Sequence, residues 1–129
     1  MILDSSAILA VIFREPGYEV LIRRITGAPL VAVGAPTLVE TALVLTARLG
    51  RDVRLMLSEF VRQAEAEIVP FTEEHYQAAI DAFARFGKGR HPAALNLGDC
   101  LTYAVARVAA MPLLFTGDDF QKTDLPPAI

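Results

Sequence analysis

Four short apolar runs punctuate the chain: "MIL" at 1–3, "LVAV" at 30–33, "EIVPF" at 67–71 and "PLLFT" at 112–116. They are brief, rich in Val, Ile and Leu, and bounded by Pro or Gly, which is how strands read when a parallel sheet is covered on both faces. The longer stretches between them carry apolar residues at helical spacing and predict helices over roughly 5–13, 17–26, 36–49, 52–66, 73–86 and 98–110. Pro16 and Pro36 suit helix starts, and Gly27, Gly50 and Gly87 stand where helices end. Strand and helix in alternation demand right-handed crossovers. The expected fold is a three-layer α/β domain with a short, mainly parallel central sheet, in which ligands bind beyond the carboxyl ends of the strands.

Composition narrows the function classes. A chain of 129 residues, 53% hydrophobic and 21% charged, is expected to form one domain over 1–129 with a real core. No stretch is apolar for long enough to span a bilayer, and the start lacks the features of a signal peptide, so the expected location is cytoplasmic. Cys100 is the single cysteine and, with only His75 and His91 beside it, gives no soft-ligand cluster of zinc-site spacing, so any metal here takes oxygen ligands. The net charge of −3 and pI near 5.3 provide no general basic field for nucleic acid, but leave room for a local basic patch.

The acids are placed unusually. Asp4 is the one charge in "MILDSSAILAVI", between a predicted strand and a predicted helix. Its bland explanation is an N-cap, a job that Ser5 or Ser6 could also do. Glu40 is the only charged residue between Arg24 and Arg48, and as a helical residue it has no basic partner one turn away. It faces inward, or it lies on a solvated helix edge. Asp99 is the only formal charge between Arg90 and Arg107 and falls in the first turn of a helix, where the dipole alone would favour it. Asp118 and Asp119 follow the strand "PLLFT". Capping explains individual acids but not the set: if the strand ends converge, the carboxylates repel one another unless a cation neutralises them. All-oxygen ligands suit Mg²⁺ or Mn²⁺, and such ions serve phosphodiester hydrolysis.

The fragments "MILDSSAILAVI", "PTLVE", "LNLGDCLTYAVA" and "LLFTGDDFQKTDL", in this order over nearly the whole chain, resemble the PIN domain, specifically VapC-type toxins of bacterial toxin-antitoxin systems. The resemblance implies an α/β/α fold, a Mg²⁺-dependent endoribonuclease acting on RNA, a homodimer and a cognate VapB-type antitoxin. By motif, Asp4, Glu40 and Asp99 correspond to the first three family acids, and either Asp118 or Asp119 to the fourth. Asp118 stands nearer the strand end and is the expected metal ligand of the two, while Asp124 reads as a surface or turn residue. Ser6 resembles a hydroxyl that supports the site from behind the acids, or it caps the first helix.

Several residues carry weaker readings. "FGKGRHPAALN" is a basic loop in which Lys88 and Arg90 would hold RNA phosphates, or a solvated connection. Arg14, Arg23 and Arg24 border the groove or a solvent-facing helix edge. Cys100 reads as a small buried residue, and the phenylalanines as core. A haloacid-dehalogenase phosphatase would need a second Asp where Ser6 stands, and a receiver domain an Asp and Lys pair that the strand ends do not offer. A catalytically silent interaction module is the remaining alternative.

Overall fold

A computed structural model describes residues 1–128. Among them are four strands, β1 (Ile2–Leu3), β2 (Ala32–Gly34), β3 (Glu67–Val69) and β4 (Leu113–Leu114). Six α-helices fill the gaps: α1 (Ser5–Ile12), α2 (Tyr18–Gly27), α3 (Ala35–Leu49), α4 (Arg54–Gln63), α5 (Glu73–Phe86) and α6 (Leu97–Ala109). Every strand pairing is parallel, in the order β3-β2-β1-β4.

Side chains alternate across the sheet. Ile2, Ala32 and Leu113 point into a core built with Ala82 and Phe86 of α5 and Tyr103 and Val105 of α6. Their neighbours Leu3, Val33 and Leu114 point the other way, against Ala7 and Ile8 of α1, Ile25 of α2, Leu45 of α3 and Leu57 of α4. That period of two, with helices on both faces, is why these runs read as continuously apolar and gives the expected three layers.

The regular strands are shorter than the apolar runs. Pro70 and Pro112 lack an N–H for the ladder, and the Leu30 carbonyl accepts from the N-terminal ammonium at 2.6 Å. β3 also departs from the expected buried strand: it is the sheet edge, and Ile68 is 53% exposed. α4 is shorter at both ends than 52–66, because Asp52 accepts from the Arg54 N–H at 2.9 Å and Glu65 turns to a φ of 50°.

The topology fixes where the chemistry can sit. The chain moves from β1 to β2 to β3, then crosses to the opposite side of β1 to lay down β4. The connections after β1 and β4 therefore diverge, opening a crevice at their carboxyl ends. Asp4 follows β1 directly, and 115–119 follows β4. α3 and α6 close in on each other: Thr37 and Thr102 share a buried hydroxyl hydrogen bond of 3.1 Å. A Cβ on Gly34 would come within 2.8 Å of Val105 Cγ2, so the start of α3 admits only glycine there without repacking.

Candidate functional site

Asp4 is a helix cap, and more. Its Oδ2 accepts from the Ser6 N–H at 3.0 Å and from the Ser6 hydroxyl at 2.6 Å, which caps α1. The Ser6 oxygen in turn accepts from the Thr116 N–H at 3.0 Å, tying the stretch after β4 to the start of α1. Asp4 is only 4% exposed, and its Oδ1 is buried without a hydrogen-bond partner. A bare buried carboxylate oxygen is costly unless a proton or cation reaches it.

Asp99 repeats the pattern at α6. Asp99 and Asn96 form a capping box: the Asn96 N–H donates to Asp99 Oδ2 at 3.0 Å, and the Asp99 N–H donates to Asn96 Oδ1 at 2.9 Å. Partial burial is the main cause pushing the Asp99 carboxyl up to about 6; the Asn96 N–H opposes it, and the charges of Asp4, Asp119 and Glu40 add to it. Glu40 is half-buried on α3, its carboxylate lying against Gly98. Any Cβ at position 98 would overlap Glu40 Oε2. The structure thus brings Asp4, Glu40 and Asp119 within electrostatic reach of Asp99, while Asp118 and Asp119 both stand on exposed chain.

Other candidates fall elsewhere. Lys88 and Arg90 are exposed on the loop before α6, with the Arg90 guanidinium 5.2 Å from the Phe83 ring centroid. Phe83 itself is 42% exposed, unlike the core residue expected. Arg23 and Arg24 line a hollow with Met1, Leu30 and Pro112, residues that precede strands, so they lie at the opposite end of the sheet from the acids and do not border them. Arg14 follows the C-terminal end of α1, away from Asp4 at its start. Cys100 is buried, and burial pushes its thiol up. Both histidines serve the backbone: His75 Nδ1 accepts from Thr72 N–H and His91 Nδ1 from Ala93 N–H, each at 3.0 Å.

Sequence reasoning missed three features. Asp124 is not a mere turn residue, for it accepts from the Tyr103 hydroxyl at 2.7 Å and from Arg85 at 3.1 Å. The Ser6–Thr116 bond spans the chain and leaves no local signature. Gly98 did leave one, since glycine is unfavourable in a helical turn unless something occupies the missing side chain's place.

Among the described residues, no group of three His, Cys, Asp or Glu side chains is gathered closely enough to cage a metal ion by itself. Mg²⁺ does not require such a cage, because it keeps several waters and takes one or two carboxylates. The bare Oδ1 of Asp4, the all-oxygen donors and the mutual repulsion felt at Asp99 fit a hard divalent cation.

A parallel α/β/α domain with carboxylates at the switch point of its sheet defines the class, and comparison with known proteins specifies it. The PIN domain family model matches residues 1–125, and the chain belongs to the PIN domain family. Its relatives include "Ribonuclease VapC36" of Mycobacterium tuberculosis, 43% identical over 126 residues covering 97% of this chain and 91% of the relative. "Ribonuclease VapC" of Mycolicibacterium smegmatis is 37% identical over 125 residues, covering 97% of each. In fold the chain is similar to the crystal structure of Mycobacterium tuberculosis VapC20, a "Sarcin-Ricin loop cleaving toxin", with a TM-score of 0.76 at 16% identity over 96% of this chain and 95% of that one. It is also similar to VapBC2 from Rickettsia felis, solved with a promoter DNA fragment, with a TM-score of 0.70 at 11% identity over 98% and 95%.

Proposed function

We propose that this chain is a single-domain, Mg²⁺- or Mn²⁺-dependent endoribonuclease, the toxin of a toxin-antitoxin pair, working in the cytoplasm. The observation that carries the reading is the bare, buried Oδ1 of Asp4 beside the other acids, on a chain whose full-length relatives are named ribonucleases. Asp4 and Asp99 would hold the ion, with Glu40 and an acid after β4 completing the charge. For that last acid the reading favours Asp119 over Asp118, because Asp119 is the one whose charge reaches Asp99. When bound, the ion supplies an activated water and neutralises charge developing on the phosphate. Ser6 holds Asp4 Oδ2 in place and leaves Oδ1 free to point at a ligand. Asn96 does the same for Asp99 through Oδ2. Lys88 and Arg90 extend from the neighbouring loop as partners for RNA phosphates.

Partners follow from the surface. Val39, Leu43 and Leu97, exposed by 60%, 66% and 76%, form an apolar face over α3 and α6 that runs up to Glu40 and Gly98. A patch without charged side chains except at its margin can meet its own copy without burying unpaired charge at its centre, and a second copy of this chain is its proposed occupant. The antitoxin, a VapB-type protein, would silence the acids by presenting a basic side chain to them; a toxin-antitoxin complex from Klebsiella pneumoniae is among the structures of similar fold.

The test is cleavage of total RNA by purified chain in MgCl₂ against EDTA, with Asp4→Asn alongside. Cleavage by the wild type in MgCl₂ alone is expected. Cleavage that survives EDTA, or that Asp4→Asn retains in full, contradicts the metal-nuclease reading, and a chain that cleaves nothing while binding a partner favours the silent module.

A further inference from the structure

We infer that Tyr103 is a positioning residue of the acidic site: its hydroxyl, acting through Asp124, holds the segment that carries Asp119 beside Asp99. This rests on the reading of the acids as a metal site given above.

The segment after β4 needs such ties. Asp118 and Asp119 stand on exposed, irregular chain that begins at Gly117 with a φ of +85°. At one end the Thr116 N–H is fastened to Ser6, the residue that also holds Asp4. In the middle Phe120, 2% exposed, packs against Phe115 with ring centroids 5.4 Å apart. At the other end Asp124 takes the Tyr103 hydroxyl at 2.7 Å. Tyr103 is on α6, one turn beyond Asp99, and helical side chains of its length lean back toward the helix N-terminus. One end of the Asp119 segment is therefore tied to the residue that orients Asp4, and the other to the helix that carries Asp99.

The hydroxyl is the informative atom. Tyr103 is 1% exposed and its ring packs on Phe86 at 5.9 Å, so phenylalanine would fill the same space and satisfy the core equally well. What phenylalanine could not do is hold Asp124. The other ties on Asp124, from Arg85 and Arg107, come from side chains 43% and 57% exposed, whose ion pairs are weak and screened. The Tyr103 hydroxyl is pushed up to about 12, by burial first and by its bond to Asp124, and so stays a donor.

Mn²⁺ titrated into the metal-free full chain, with free ion followed by electron paramagnetic resonance, tests the latch without RNA. Tyr103→Phe is expected to weaken Mn²⁺ binding about tenfold, as loss of a ligand's supporting partner does. Asp124→Ala should match it, and Asp124→Asn, which still accepts the Tyr103 hydroxyl, should recover most of the affinity. In an Asp119→Asn background, Tyr103→Phe should cost nothing further. Amide hydrogen exchange in the metal-free protein should quicken at 117–122 and stay unchanged in α6. Wild-type Mn²⁺ affinity in Tyr103→Phe, with or without a lower melting temperature, overturns the inference, as does an equal loss in the Asp119→Asn background. If Tyr103→Phe does not fold, the contrast between Asp124→Ala and Asp124→Asn decides in the same way. A wild type that binds no Mn²⁺ defeats the metal-site reading, and the latch with it.

Discussion

Two consecutive helices of this protein begin with the same local device and use it differently. At α5, His75 Nδ1 accepts from the Thr72 N–H, and the ring is buried against Phe71 with centroids 5.3 Å apart. At α6, Asp99 and Asn96 make the equivalent reciprocal bonds, yet the Asp99 carboxyl is pushed up to about 6, chiefly by burial, with three other acids adding to it. A capping box therefore says nothing about function by itself. What separates the two is the company each helix start keeps: α5 follows the exposed edge strand β3, while α6 presents its first turn to Asp4 and to Glu40.

The comparison breaks most readily at the level of activity. Asp99→Asn or Asp4→Asn should reduce single-turnover RNA cleavage by more than about 100-fold, beyond what loss of a supporting partner costs, whereas His75→Gln should cleave at the wild-type rate. A slow His75→Gln at full folding would erase the distinction. A smaller effect is expected at Gly98→Ala. Helix propensity alone would make alanine stabilising by up to about 1 kcal/mol, but its methyl displaces the Glu40 carboxylate, so cleavage should fall about tenfold while the melting temperature holds or rises. Unchanged cleavage in Gly98→Ala would remove Glu40 from the site.

Stability in EDTA sharpens the contrast by its sign. Thr72→Ala should lose about 0.5–2 kcal/mol, as a cap does. Asp99→Asn, which keeps an acceptor for Asn96 and removes one of several repelling charges, should lose nothing and gain slightly. Differential scanning calorimetry on both variants checks this, and a cap-sized loss in Asp99→Asn would make it a structural residue first.

The smallest effect concerns an acid with the opposite surroundings. Burial works to raise Asp124, but the Tyr103 hydroxyl and the Arg85 guanidinium outweigh it and hold the carboxyl below its ordinary value. A lowered folded value means the stabilisation is present above 3.8, the unfolded value, and is lost as pH falls through the folded one. The melting-temperature gap between wild type and Asp124→Asn should thus narrow below that value, and a gap independent of pH would show that charge is not what Asp124 contributes.

Much of this was legible in the sequence because the signals are local. The apolar runs and helical periodicities mark the elements, and the isolation of Asp4, Glu40 and Asp99 in apolar stretches marks them as exceptional. The rest depends on contacts that sequence order hides. Nothing local ties Ser6 to Thr116 or Tyr103 to Asp124, and nothing says that Arg23 and Arg24 end up beside Met1 and Pro112 rather than beside the acids. The choice between Asp118 and Asp119 likewise turns on where the Asp119 carboxylate falls relative to Asp99, since both residues follow the same strand.

The central claim, that Asp4 after β1 and Asp99 at the start of α6 hold a divalent cation, is tested most directly by melting temperature with and without MgCl₂ in wild type and Asp4→Asn. An ion at a hundred times its dissociation constant adds about 2.7 kcal/mol when it ignores the unfolded chain. The wild type should show the melting-temperature rise that a stabilisation of that order produces, and Asp4→Asn almost none. Equal shifts in the two proteins would place the ion elsewhere and contradict the account.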